Sequence, residues 1–94
     1  MQIIWSARAT QNLNVIVEYI ARDNLDAALA LDEHIRNAAD GLTLFPRKGW
    51  PGRVPGTREM VVHANYVVVY ATTAEAVYIV AVLHAALPWP RLGD

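Results

Sequence analysis

Two apolar runs near the end of the chain, separated by a short polar segment, most constrain how this sequence can fold. Tyr66 to Ala71 is uniformly apolar with three consecutive valines, and Val77 to Ala85 is nearly as apolar. Runs of this length, rich in β-branched and aromatic residues, are typical of strands with little solvent on either face. Thr72 to Ala76 is a polar turn between them. The sequence therefore predicts a buried β-hairpin as the framework of a small sheet.

The first 44 residues predict a short strand and two helices. Gln2 to Trp5 is a strand candidate, and Ser6 after it is a favourable N-cap. The apolar side chains of the first helix follow the spacing i, i+3, i+4, i+7: Leu13, Ile16, Val17 and Ile20. Asp23-Asn24 ends this helix, and a narrow apolar stripe predicts a second helix over about 25–44. The short join predicts an antiparallel helical hairpin, which we interpret as scaffold.

A loop made stiff by proline and glycine connects the helices to the hairpin. Phe45 to Gly56 contains three prolines and three glycines, so little regular structure is expected there. Thr57 to His63 predicts a strand, and Ala64-Asn65 a tight turn. The order β-α-α-β-β-β predicts an α+β fold, a small antiparallel β-sheet with the N-terminal helical hairpin packed on one face. A chain of 94 residues is expected to be one domain, 1–94.

The net charge of −1 is unevenly distributed along the chain. Residues 1–44 carry three arginines against six acidic side chains, whereas residues 45–65 carry four basic side chains against Glu59 alone. A dedicated nucleic-acid binder is more often strongly basic overall, so we expect no direct sequence-specific DNA binding by this chain alone. The low charged fraction of 18% beside a hydrophobic fraction of 54% predicts apolar surface that a partner covers.

Several classes of protein are disfavoured by what the sequence lacks. The absence of cysteine excludes disulfides and thiolate zinc sites, and we predict neither a metal nor a cofactor. The N-terminus does not have the basic and apolar regions of a signal peptide. No apolar stretch reaches the ~18 residues of a membrane span. We therefore expect a cytoplasmic protein that does not engage a membrane.

Several separate segments together resemble a known family. They are GRVPGTREMVV, the Tyr-bounded strand YVVVY, VYIVAVLHAALPWP and, in the helices, ATQNLNVIVEYIARDNLDAA. In order and spacing they resemble the RelE/ParE superfamily of bacterial toxins over about residues 3–90. The resemblance implies the toxin of a type II toxin–antitoxin pair, of the kind linked to plasmid stabilisation. It also implies growth inhibition and a cognate antitoxin protein that neutralises it.

The superfamily contains two biochemical classes, and the resemblance leaves both open. RelE-like members are ribosome-dependent mRNA endoribonucleases, whereas ParE-like members lack the nuclease residues, and those characterised inhibit DNA gyrase. RNA cleavage through the 2′-hydroxyl needs a base, an acid and a cationic group for the phosphate. The candidates for these roles in this chain are Arg53, Arg58, Glu59 and His84.

Three features favour the ParE-like interpretation. The chain is not strongly basic, although contacts with many phosphates draw most of their affinity from Lys and Arg. Nuclease members usually carry an aromatic or basic residue just after the last strand, where this chain has Ala85, Ala86 and Leu87. The ending VLHAALPWP resembles ParE-type chains. We therefore predict a toxin that binds a DNA-processing target such as DNA gyrase and is not an enzyme. The alternatives are a ribosome-dependent endoribonuclease and a toxin fold that has lost its toxicity.

The predicted target-binding residues lie in the basic loop and the C-terminal tail: Arg47, Lys48, Trp50, Arg53, Arg58 and Trp89. An aromatic side chain beside cations has the composition of a binding hot spot. Structural roles are also open for several residues, since Arg53 can anchor the loop and Trp50 can plug the end of the sheet. His84 can equally be a hydrogen-bonded edge residue. The tyrosines of the strands are expected in the core with their hydroxyls at the surface: Tyr66, Tyr70 and Tyr78.

Overall fold

The computed structural model describes residues 1–90, which form a five-stranded sheet with two helices on one face. The strands are β1 (Gln2–Trp5), β2 (Trp50–Pro51), β3 (Arg58–His63), β4 (Tyr66–Thr72) and β5 (Ala76–His84). The helices are α1 (Ala7–Ala21) and α2 (Leu25–Asp40), and a 3-10 turn at Gly41–Thr43 ends the second. The predicted α+β class and the helical hairpin are confirmed. No helix among the described residues is long and apolar enough to cross a bilayer.

The strands lie in the order β1-β5-β4-β3-β2. β3, β4 and β5 form the predicted antiparallel meander. β1 instead pairs parallel with β5, from Gln2 opposite Ala76 to Trp5 opposite Ile79, so the sheet is mixed and not wholly antiparallel. The short turns of the meander require antiparallel neighbours, whereas a parallel neighbour requires a long connection. The chain between β1 and β5 supplies that length, and no local pattern in β1 reveals its direction.

The loop between α2 and β3 contains one element that its composition did not predict. Trp50 and Pro51 form β2, which pairs antiparallel with β3 opposite Glu59 and Arg58. Proline cannot donate a hydrogen bond to a neighbouring strand, and β2 lies at the sheet edge, where that loss is tolerated. This short strand fixes where the basic loop leaves the sheet.

Capping side chains fix the ends of the helical hairpin. The Ser6 hydroxyl accepts a hydrogen bond from the Ala9 amide at 3.0 Å and donates one to the Val80 carbonyl at 2.9 Å. It therefore caps α1, as predicted, and also attaches the start of that helix to β5. The Asn24 side chain accepts a hydrogen bond from the Ala27 amide at 3.0 Å and caps α2 in the same way.

The middle of β4 and the second half of β5 are buried on both faces of the sheet, as their apolar sequence predicts. Val68 belongs to the core beneath the helices, whereas its neighbour Val69 belongs to a second cluster on the opposite face. Trp89 packs into that second cluster and is only 8% exposed. The tail therefore docks against the sheet, and Trp89 does not offer the free side chain that target binding through it would need.

The tyrosines occupy three different environments. Tyr70 is fully buried. Its hydroxyl was expected at the surface, but it is hydrogen-bonded inside the protein. Tyr66 is half-buried, and Tyr78 is exposed and not part of the core. Tyr78 lies opposite Ile4 of β1, which is also exposed, on the face that the helices do not cover. Within residues 1–90, the second face of the sheet is covered where Trp89 and Val54 pack, and Tyr78 lies outside that cluster.

Candidate functional site: a basic loop fixed to the sheet

The basic loop, residues 44–58, is attached to the sheet by the side chain of Tyr70. The Tyr70 hydroxyl donates a hydrogen bond to the Pro46 carbonyl at 2.8 Å and accepts one from the Gly49 amide at 2.9 Å. A buried hydroxyl is stabilising only where it is hydrogen-bonded, and here it is satisfied both as donor and as acceptor. Both ends of the segment 46–49 are therefore tied to one atom of β4.

Arg58 holds the same segment from β3. Its Nη2 donates to the Gly49 carbonyl at 2.6 Å and to the Arg47 carbonyl at 3.1 Å, and its Nε also reaches the Gly49 carbonyl. Arg58 lies opposite Tyr70 in the strand register, so the two side chains approach the loop from the same face. The Nε and Nη2 atoms of Arg58 are thus bonded to backbone carbonyls, so Arg58 anchors the loop from β3.

Glu59 points to the other face of β3 and pairs with Arg53. Its carboxylate accepts a hydrogen bond from the Arg53 amide at 2.8 Å and lies 3.0 Å from the Arg53 Nη2. Burial raises the pKa of Glu59, but the hydrogen bonds and the positive charge of Arg53 outweigh burial and hold that pKa below 4.5. Arg53 therefore anchors the loop, which was one of its two predicted roles.

This ion pair makes the stability of the fold depend on the pH in the acidic range. A carboxyl whose pKa is lowered by folding stabilises the native state above its ordinary pKa of 4.5, and the contribution is lost as the pH falls through the lowered value. Replacing Arg53 by glutamine is expected to flatten the loss of stability below pH 4.5. Urea unfolding at pH 7 and at steps below 4.5 measures this, with Arg22→Gln in the interhelical turn as the matched control. Parallel curves for the native chain and Arg53→Gln would contradict the assignment.

His84 lies at the opposite end of the sheet from these charges. It pairs with Tyr66 in the register and meets the Tyr66 ring edge-on at 5.5 Å, while His63 lies 5.7 Å from the other side of that ring. Val69, the partner of Glu59, pairs in turn with Ala81, three residues before His84. Strand spacings then put the Glu59 and His84 Cα atoms about 14 Å apart. The four predicted nuclease residues are therefore not assembled into one site.

Within residues 1–90, no side-chain hydrogen bond or ion pair occupies Arg47, Lys48 or Trp50. All three are exposed, and Trp50 is 74% exposed, so it does not plug the end of the sheet. Two neighbours that sequence reasoning missed, Leu44 and Phe45, are 76% and 67% exposed and line one surface depression with the two cations. Their signal in the sequence was a pair of large apolar residues placed directly before the first proline of a loop.

A second surface feature is a groove between α1, the end of β5 and the C-terminal tail. Apolar side chains line it from all three sides: Val15, Ile16, Val82, Leu83, Leu87 and Trp89. Arg8 lies over the Trp89 ring, 5.7 Å from its centroid, and joins His84 in the lining. Within residues 1–90, no three histidine or acidic side chains converge in a way that would hold a metal ion.

The family model described as the ParE toxin of the type II toxin-antitoxin system, parDE, matches residues 3–89. The chain belongs to this family. It is a type II toxin, which implies an antitoxin partner, as its resemblance predicted.

Two curated relatives cover almost the whole chain. Y4kP of Sinorhizobium fredii is 37% identical over 97% of this chain and 95% of that protein. Toxin RelE2 of Caulobacter vibrioides is 34% identical over 90% of this chain and 96% of its own length. The second of these relatives carries the RelE name, whereas the matching family model carries the ParE name.

Solved structures share the fold at low sequence identity. A chain of the chromosomal ParDE system of P. aeruginosa superposes with a TM-score of 0.80 at 18% identity, covering 89% of this chain and 95% of that one. The YoeB/ParE toxin of Agrobacterium tumefaciens gives a TM-score of 0.63 at 13% identity, covering 89% and 98%. At such identities the likeness concerns the fold alone.

Proposed function

We propose that this toxin inhibits growth by binding a DNA-processing target such as DNA gyrase, and that it does so without catalysing a reaction. The observation that supports this most is that the charged residues at the loop are hydrogen-bonded or ion-paired within the protein. Arg58 is bonded to loop carbonyls, Glu59 is paired with Arg53, and His84 lies at the far end of the sheet. Acid–base catalysis needs its groups within hydrogen-bond reach of one reacting centre, and these side chains do not share such a centre.

The contact surface in this proposal is the exposed part of the basic loop. Phe45 offers a large apolar anchor beside Arg47 and Lys48, and Trp50 offers another on β2, opposite Glu59. Exposed aromatic anchors beside cations match the composition of protein–protein hot spots, and a loop already held in shape loses little entropy on binding. The partner surface that this chemistry fits has an apolar socket with carboxylates at its rim.

The antitoxin in this proposal occupies the groove beside α1. The groove is apolar at its base, with Val15 58% exposed and Arg8 beside it. An antitoxin segment that folds on contact covers such a groove with its apolar face. An acidic residue of that segment can pair with Arg8. The groove and the basic loop do not share a lining residue, so antitoxin binding and target binding can be separated by mutation.

A ribosome-dependent endoribonuclease is the second candidate, and one observation favours it. His63 and His84 flank the Tyr66 ring, and the Nδ1 atom of each accepts a backbone hydrogen bond, from Asn65 and Ala86 respectively. In the neutral rings this arrangement leaves Nε2 as the protonated atom. A nuclease built on these residues would use the end of the sheet away from the basic loop.

The two candidates are separated by assaying both targets with the same purified chain. We expect the native toxin to block gyrase supercoiling of a plasmid and to leave mRNA intact in a translating extract. We expect His84→Ala to keep full growth inhibition, because the proposed contact surface does not include this residue. Glu59→Ala is a less direct test, since it also releases the Arg53 anchor.

The same assays can also give results that contradict the proposal. Cleavage of ribosome-bound mRNA by the native chain, with loss of both cleavage and toxicity in His84→Ala at an unchanged melting temperature, establishes the nuclease instead. Growth that is unaffected by expression without antitoxin indicates a toxin fold that has lost its activity. In induced cells, the order in which protein synthesis and DNA replication stop gives an independent answer.

A further inference from the structure

We propose that Tyr70 is a positioning residue for target contact. Its buried hydroxyl, together with Arg58, holds the segment 46–49 in the conformation that presents Arg47, Lys48 and Trp50. The inference rests on the proposed role of the basic loop, and it assigns part of that role to a residue with no access to any target.

The hydrogen bonds around the segment carry this inference. The segment turns back on itself, with the Lys48 amide donating to the Phe45 carbonyl at 3.0 Å. The Tyr70 hydroxyl then bonds to Pro46 and Gly49, and Arg58 bonds to the carbonyls of Arg47 and Gly49. Within residues 1–90, no strand pairing holds this stretch, because β2 begins at Trp50. The segment therefore keeps its shape through side chains that reach it from β3 and β4.

Gly49 gives an independent sign that this conformation is tightly fixed. A Cβ atom at this position would lie 2.7 Å from the Glu59 carbonyl oxygen and 2.8 Å from the Tyr70 hydroxyl. Both atoms belong to the buried sheet, so neither can move away as the end of a flexible side chain would. The loop backbone is thus packed against Tyr70 at a distance that only glycine permits.

Packing alone does not explain the hydroxyl of Tyr70. The ring is fully buried in the core cluster beneath the helices, where a phenylalanine ring would fill the same space. A buried hydroxyl is costly unless it is bonded, and both of its bonds go to the basic loop. The hydroxyl therefore stabilises the loop, whereas the ring packs in the core.

The test is Tyr70→Phe, which keeps the ring and removes only the hydroxyl. Arg47 and Lys48 are trypsin sites inside the loop, and Arg22 in the interhelical turn is an internal reference. Losing two buried hydrogen bonds is expected to raise trypsin cleavage at Arg47 and Lys48 about tenfold relative to Arg22, and to weaken growth inhibition by a similar factor. Antitoxin binding should remain unchanged. Tyr78→Phe, at an exposed tyrosine of β5, is the matched control and should change neither readout.

Arg58→Lys provides a second variant that separates geometry from charge. It keeps the positive charge but replaces the planar guanidinium, which bonds two carbonyls at once, by a single ammonium group. We expect it to raise cleavage at Arg47 and Lys48 as Tyr70→Phe does. An effect of this kind without any change of charge supports positioning.

Two results would overturn the inference. One is an unchanged ratio of trypsin cleavage in both variants, which would mean that the segment does not need these side chains. The other is faster cleavage with undiminished growth inhibition, while Trp50→Ala, tested separately in the same assay, no longer inhibits growth. Neither result depends on the identity of the target, so a failure of the gyrase proposal in the supercoiling assay is distinguishable from a failure of this one.

Discussion

Trp50→Ala is expected to abolish growth inhibition while the chain still folds and still binds its antitoxin. Trp50 is 74% exposed and belongs to the edge strand β2, so its removal leaves no cavity in the core. Truncating a central aromatic anchor of an interface typically costs about 2 kcal/mol or more, a loss of affinity of roughly thirtyfold. Induced expression without antitoxin, followed by growth and by pull-down with the antitoxin, measures both properties.

Reversing the charges of the same surface extends this prediction. Arg47→Glu with Lys48→Glu should slow association with a target that has carboxylates at its rim, and the difference from the native chain should shrink at high salt. Arg22→Glu is the matched control, because Arg22 is also exposed but lies in the interhelical turn. Full toxicity in Trp50→Ala and in the double reversal would show that the basic loop is not the contact surface.

Leu13→Ala is expected to lower the free energy of unfolding by about 2–5 kcal/mol, the largest effect on stability foreseen here. Leu13 is fully buried in the core cluster between α1, α2 and the sheet. Removing its side chain forfeits burial of apolar surface and leaves a cavity that the surrounding strands and helices fill only in part. For a domain of this size the melting temperature should fall by roughly 10 °C or more.

Val15→Ala on the same helix is the control for Leu13→Ala. Val15 is 58% exposed, so its truncation should change stability by no more than about 0.5 kcal/mol. The two variants also separate stability from antitoxin binding, because Val15 lines the groove proposed for the antitoxin and Leu13 does not. We expect Leu13→Ala to unfold at lower urea concentration, and Val15→Ala to weaken the antitoxin complex. Equal losses of stability in both would contradict the assigned burial.

Much of the fold could be predicted from local patterns. The spacing of Leu13, Ile16 and Ile20 marked the buried face of α1, and the run from Tyr66 to Tyr70 marked a strand covered on both faces. These patterns work because helix and strand periodicities place neighbouring side chains on defined faces. The parallel pairing of β1 escaped prediction because it depends on a partner more than seventy residues away.

The candidate site was predicted less completely. The sequence located the charged residues of the loop, but it did not distinguish a free cation from a bonded one. Trp89 and Trp50 illustrate the same difficulty, since both follow or precede prolines, yet Trp89 is packed and Trp50 is exposed. Leu44 and Phe45 were not singled out, since Leu44 ended the predicted second helix and Phe45 began the predicted loop. Which of these side chains is covered depends on the path of the whole chain.

The sequence by itself determined the family, the helical hairpin, the buried strands and the position of the positive charge, because these follow from residue type and short spacing. Only the tertiary structure decided the roles within the loop. Arg58 reaches Gly49 nine residues back, and Tyr70 reaches Pro46 twenty-four residues back. Whether a polar side chain is an anchor or a free contact is set by the groups that folding brings within hydrogen-bond distance of it. That distance is a property of the fold and not of any short stretch of the chain.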